Sequence, residues 1–329
     1  MTDLVTIFGG SGFLGRYVAR RMAQAGWRVR VACRHPNDAP FVRLYGVVGQ
    51  VEPVFCNIRD DDSVRAVTRN SRAVVNCVGI LAESGRQSFD GLQRAGAERI
   101  ARIAAEEGVE RLVQVSAIGA EAEGRSDYAR TKAEGEQAVR DAFPDAVILR
   151  PSILFGHEDE FFNRFAAMSR RSPVVPLVGA NTKFQPVYVD DVAHAIERAV
   201  LGKAEPGLYE LGGPDVRTFR ELIQEMLVIV RKRRLILGVP FWVGRIMGAI
   251  FGSLSRATGG LIAAPLTRDQ VENLARDNVV GEGVKTFDDL GIAPTATEAV
   301  LPDYLWRFRT SGQYASIKES ARNLRGSQE

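Results

Sequence analysis

Residues 4–15 read LVTIFGGSGFLG, a short apolar run that passes directly into glycines at positions 9, 12 and 15. From Leu14 the apolar spacing becomes helical and holds to Gln24, with Gly26 as a stop signal. Strand, glycine turn and helix in that order leave few folds open. Glycines allow a tight turn and a close backbone approach to a pyrophosphate, and the helix that follows offers its N-terminal N–H groups to that anion. Gly9, Ser11, Gly12, Phe13 and Leu14 are therefore expected around the phosphates of a dinucleotide. Glycine spacing alone describes any tight turn; the strand before it and the helix after it give it meaning here.

The same alternation continues. Strand patterns fall at 29–33, 52–58, 73–78, 111–116 and 146–149, and helical ones at 91–107 and 128–142. Strands alternating with helices call for an α/β fold, a doubly wound parallel sheet with helices on both faces. After Arg150-Pro151 the pattern loosens around Pro173, Pro176 and Pro186. Residues 1–155 are read as the nucleotide-binding core and 156–310 as a smaller, mainly helical domain. Residues 184–213 return to the core, and 311–329 form a polar tail. Thr218, with Glu221 three residues on, reads as the cap of a helix over 218–231.

A carboxylate at the end of the second strand would bind a free ribose 2′-hydroxyl and repel a 2′-phosphate. This chain has Cys33-Arg34-His35-Pro36 there. Arg34 can pair with a phosphate bidentately, with His35 beside it and Arg16 placed to assist. NADP(H), written NADPH for its reduced form, is the expected cofactor, unless Arg34 is simply a solvated surface arginine. Tyr128 and Lys132 lie four apart, on one face of a helix. A nearby ammonium favours the phenolate, so the tyrosine could exchange a proton during hydride transfer while the lysine binds ribose.

The net charge of +3 gives no reason to propose nucleic acid as a partner. Cys33, Cys56 and Cys77 form no CxxC pair, sit in apolar runs and suggest a reducing compartment, and no metal site is expected. The N-terminus is already the first strand, so no targeting segment is expected. Near the C-terminal third, Arg231-Lys-Arg-Arg234 precedes a stretch from Leu235 to Ser255 whose only charge is Arg245. A helix over 235–255 could be buried, could lie on a membrane surface with the basic run against anionic headgroups, or could span the bilayer. Gly244, Gly248 and Gly252 make one of its faces bare. Tyr304, Trp306 and Phe308 could contact a partner or close the smaller domain.

These motifs resemble the short-chain dehydrogenase/reductase superfamily, of the extended or atypical kind with a Rossmann core. The resemblance adds Asn57-Ile58, Asn76-Cys77-Val78-Gly79 and Leu149-Arg150-Pro151-Ser152. It implies that Asn57 and Ile58 flank the adenine and that Cys77, Val78, Gly79 and Ser116 line the cofactor. Pro151 and Ile153 would lie near the nicotinamide. Active members carry a hydroxyl where this chain has Ala117, with Ser116 one position early. Loss of a comparable oxyanion donor costs on the order of 10²–10³ in rate, which would leave Tyr128 and Lys132 vestigial.

The strings FQPVYVDDVA from Phe184, LTRDQVE from Leu266 and DDLGI from Asp288 narrow the resemblance to the short-chain-dehydrogenase-like accessory subunit of respiratory complex I, NADH:ubiquinone oxidoreductase. That implies a non-catalytic subunit holding NADPH on the peripheral arm, near the membrane and the ubiquinone site, with other complex I subunits as partners. It would sit peripherally on the cytoplasmic side of a bacterial inner membrane or the matrix side of a mitochondrial one. An active NADP(H)-dependent reductase or epimerase-like enzyme using Tyr128 and Lys132, and an NADP(H)-binding regulator, are the other readings.

Overall fold

The computed structural model describes residues 2–257 and 266–310; the expected polar tail lies outside them. Six strands form in the first half: β1 (Leu4–Phe8), β2 (Arg28–Cys33), β3 (Val51–Phe55), β4 (Ala73–Asn76), β5 (Arg111–Val115) and β6 (Val147–Pro151). Shorter pieces follow as β7 (Leu154–Phe155), β8 (Val174–Val178), β9 (Lys183–Phe184) and β10 (Val187–Tyr188). Then come β11 (Gly207–Leu211), β12 (Arg217–Thr218) and β13 (Leu235–Val239). Seven of them make one sheet in the order β11-β6-β5-β4-β1-β2-β3, every pair parallel. The apolar sequences of the central strands β1 and β4 suit a sheet covered on both faces; β4 is buried along its whole length.

The helices are α1 (Phe13–Gln24), α2 (Asp61–Thr68), α3 (Ala95–Glu106), α4 (Asp127–Ala142), α5 (Phe162–Arg171) and α6 (Val189–Val200). They continue as α7 (Phe219–Ile229), α8 (Phe241–Ala257), α9 (Arg268–Asn273) and α10 (Thr297–Leu305). On one face of the sheet, Val18 and Met22 of α1 meet Val192 and Ile196 of α6 over β1 and β2. On the other, Val64, Ile100 and Val139 of α2, α3 and α4 pack against Phe8, Val74 and Leu112. A third core joins α5, α7 and α10 around Phe162, Leu222 and Leu301. The chain returns to the first core twice, once at 187–211 and again near 285–292, where Phe287, Leu290 and Ile292 are buried in it.

The apolar stretch after the basic run departs from the expected single helix. Residues Leu235–Val239 form β13, parallel to β8, and the helix begins only after Pro240. Proline disfavours helical backbone at the residue before it and cannot donate to a preceding carbonyl, so it separates the two elements. Among the described residues, no helix is long and apolar enough to cross a membrane. The small-residue face of α8 is packed: a Cβ on Gly244 would lie 2.8 Å from Val178, and one on Gly248 2.7 Å from the Arg268 nitrogen. The capping box at Thr218 and Glu221 forms as expected. Tyr304 is buried in the third core and donates to Asp159 Oδ2, while Phe308 packs against the same core and Trp306 is 36% exposed.

Gly135 of α4 packs on the backbone of Gln93, where a Cβ would come within 2.2 Å of the carbonyl oxygen. Alanine in a helix interior normally stabilises by about 1 kcal/mol relative to glycine, but overpacking against fixed backbone costs about 1–3 kcal/mol. Gly135→Ala is therefore expected to lower the urea midpoint, and an unchanged or higher midpoint would contradict the packing.

Candidate functional site

In the sheet β1 lies between β2 and β4, so the chain leaves it in opposite directions on its two sides. That reversal opens a crevice beyond the carboxyl ends of β1 and β4. Because all seven strands run the same way, the segments following β1 to β6 lie along this one edge. They hold every residue expected at a cofactor except Tyr128 and Lys132, which α4 brings to it.

The glycine turn is fixed by close backbone contacts. Gly9 adopts φ +73°, a conformation costly for other residues, and its N–H donates to the Ala32 carbonyl at 3.0 Å. A Cβ on Gly15 would lie 2.3 Å from the Gly9 oxygen, so only glycine lets α1 close onto the turn. Gly12 caps α1 without a side-chain hydrogen bond, and the first turn of the helix holds no acid. By contrast α2, α4 and α7 are capped by Asp60, Ser126 and Thr218. The start of α1 thus presents its partial positive charge uncompensated, which fits a pyrophosphate. Arg16 is held beside it, donating to the Gly12 and Ser11 carbonyls at 3.3 Å and lying over the Phe41 ring.

Arg34 and His35 are exposed at the end of β2. Asn57 accepts from the Arg59 N–H at 3.2 Å, and Ile58 is buried on the α2–α3 face. After β4, the Val78 N–H donates to Asn76 Oδ1 at 3.0 Å, while the Asn76 amide donates to Gln114 at 2.9 Å. Cys77 follows with its thiol pushed up to about 12 by burial. Pro151 is buried at the end of β6, and Ile153 packs against the third core.

Tyr128 and Lys132 do share a face of α4, with Lys132 Nζ 6.0 Å from the tyrosine ring centre. The expected activation of the phenol is not what the surroundings produce. Burial, and then the carboxylate of Asp269, push Tyr128 up to about 12. Burial pulls Lys132 down to about 8, against the opposing pull of Glu136 and Cys77. The ammonium donates to the Val115 carbonyl at 3.3 Å. At neutral pH the tyrosine is a phenol that can donate a hydrogen bond.

Ser116, expected beside the cofactor, directly follows β5. Its hydroxyl is buried and donates to Glu136 Oε1 at 2.5 Å, inside a network that continues to Arg150 and Glu210. Ala117 follows it. Two elements that sequence spacing did not single out close the far side of Tyr128. Asp269 of α9 accepts from the backbone N–H groups of Asp127 and Tyr128 at 2.6 and 3.4 Å. Phe89 meets the tyrosine ring edge-on at 5.8 Å. Glu136 was within reach of sequence reasoning, four residues past Lys132 on the same helix; Phe89 and Asp269 arrive from distant segments. Among the described residues, no group of side chains could hold a metal ion.

The buried lysine sets a pH dependence. Its folded-state value lies below its ordinary 10.5, so between about 8 and 10.5 the unfolded chain binds more protons and stability rises with pH. Cys77 and Tyr128 act oppositely at high pH. The difference between wild type and Lys132→Met isolates the lysine. Wild type should gain up to roughly 3 kcal/mol on the variant across that window, and parallel denaturation profiles would refute a buried amine.

With this geometry in place, relatives can be compared. The profile of the NAD dependent epimerase/dehydratase family matches residues 5–212. The mitochondrial NADH dehydrogenase [ubiquinone] 1 alpha subcomplex subunit 9 of Arabidopsis thaliana is 35% identical over 316 residues, 94% of this chain and 79% of that protein. A ceramide reductase of Caulobacter vibrioides is 31% identical over 190 residues, 58% of each protein. The crystal structure of gox2253 superposes with a TM-score of 0.68 at 20% identity, covering 95% of this chain and 99% of that one. The chain belongs to the NAD dependent epimerase/dehydratase family and is a homologue of the complex I subunit.

Proposed function

We propose that this member of the family is a non-catalytic accessory subunit of respiratory complex I that holds NADPH in the β1–β4 crevice. The observation that carries the non-catalytic part is the Ser116 hydroxyl, buried against Glu136, with Ala117 after it. A reacting carbonyl would lack the donor worth 10²–10³ in rate. The complex I assignment rests on similarity that runs through 94% of the chain, well past the segment the family profile covers.

In this reading Gly9, Ser11, Gly12, Phe13 and Leu14 hold the pyrophosphate, and Arg34, His35 and Arg16 the 2′-phosphate. Asn57 and Ile58 flank the adenine, and Cys77, Val78, Gly79, Lys132, Pro151 and Ile153 border the nicotinamide half. NADPH elsewhere supplies hydride; here its binding free energy favours the folded state. The subunit sits peripherally on the peripheral arm near the ubiquinone site, against the membrane surface through 231–255. That is the cytoplasmic face of a bacterial membrane or the matrix face of a mitochondrial one.

The intact Tyr128 and Lys132, and the similarity to a ceramide reductase, favour a second reading as an active NADP(H)-dependent enzyme. Denaturing the extensively washed protein and assaying the supernatant separates the two. Near-stoichiometric NADPH that added carbonyls or quinones do not oxidise is expected; turnover abolished by Tyr128→Phe would establish the enzyme instead. Arg34→Glu should weaken NADPH binding at least about tenfold, the scale of one charge-assisted hydrogen bond, with NADH little changed. Equal losses for both nucleotides would remove Arg34 from the 2′-phosphate.

A further inference from the structure

We infer that the hollow between α7 and β13 is a binding site for the headgroup of an anionic phospholipid in a bilayer. It is a shallow, open depression of about 410 Å³, and four of its nine lining residues are cations while none is acidic. The cations come from two directions. Arg220 stands on the first turn of α7; Lys232, Arg233 and Arg234 follow the end of that helix and lead into β13. They are not a loose fringe. Arg234 Nε donates to the Ser169 carbonyl at 2.8 Å, Lys232 Nζ to the Thr310 hydroxyl at 2.9 Å, and Arg220 to the Ile236 carbonyl at 3.4 Å. Arg233 is exposed at the rim. Three of the four cations are thus tethered by the fold, and all four line one hollow, which favours a phosphate.

A free anion would need no apolar surroundings, yet this hollow has them. Leu227 is buried in its wall, while Val228 is 77% exposed and Leu235 65% exposed beside the cations. A second exposed apolar feature follows β13 in the chain. On α8, Trp242, Ile246 and Ile250 recur every four residues and are 64%, 52% and 60% exposed. The opposite face of α8 is locked by Gly244 and Gly248 against Val178 and Arg268, so this stripe cannot turn inward. Cations and exposed apolar side chains on one hollow, with an apolar stripe on the helix that follows it in the chain, suit the phosphate and acyl chain of a lipid at a membrane surface. The inference rests on the peripheral-membrane part of the function proposed above, and makes it a defined headgroup site.

The test is flotation of the full-length protein with vesicles of phosphatidylcholine alone or mixed with phosphatidylglycerol. Binding should require the anionic lipid and weaken with salt. Arg233→Glu, a change of two charges at a surface residue, should lower the partition coefficient about 30-fold, each charge near an anionic surface contributing about fivefold. Leu235→Ser should lower it while keeping the salt dependence. Failure to float, equal floating on both lipids, or no effect of Arg233→Glu would overturn the assignment. Release by millimolar inorganic phosphate at constant ionic strength would do so as well, by marking a site for soluble anions. NADPH retention, measured on the same samples, should be identical in Arg233→Glu and wild type. A wild type that floats but holds no NADPH would sink the function proposed above and leave the lipid site standing.

Discussion

The closure of α1 onto the glycine turn is the contact on which the rest of the site depends. Gly15 meets the Gly9 carbonyl at a distance no side chain allows, and Gly9 in turn meets the backbone after β4. These contacts place the uncapped end of α1 over the crevice between β1 and β4. They also fix the position of Arg16, whose guanidinium holds the Ser11 and Gly12 carbonyls. A pyrophosphate there meets a preorganised dipole. The flanking cores on either face of the sheet keep that geometry rigid.

The part of the crevice beyond β5 and β6 is built differently. Its polar groups point toward one another: Ser116 to Glu136, Glu136 to Arg150, Arg150 to Glu210, and Glu210 to the Gly281 N–H. Such a network stabilises only when every member is satisfied. Here it ties β5, β6, β11 and α4 together and engages the Ser116 hydroxyl. Asp269 seals the other side by bonding to the first turn of α4. The glycine turn leaves the start of α1 without a side-chain cap, whereas the polar groups after β5 are spent on one another.

Much of this was legible in the chain. Strand and helix periods in the first 150 residues gave the parallel sheet, and the motif context located the crevice, because both depend on local pattern. Ser116 and Tyr128 could be named but not oriented, since the direction of the hydroxyl depends on Glu136 and the surroundings of the phenol on burial and on Asp269, the latter 141 positions away. The stretch after the basic run misled for a related reason. Its apolar composition suits a helix or a strand, and β8, some sixty residues earlier, was the partner that decided for strand up to Pro240.

The second return of the chain to the first core bears on how the molecule can be made. Phe287, Leu290 and Ile292 complete the core beneath α1 and α6, Lys285 lies beside Tyr209 at the outer edge of the sheet, and Gly281 satisfies Glu210. A nascent chain that has delivered only its first 212 residues has every strand of the sheet but lacks these covering residues, and its outermost strand stays open to unwanted pairing. The core around residues 1–212 is therefore complete only after the segments that carry α7 and α8 have already emerged.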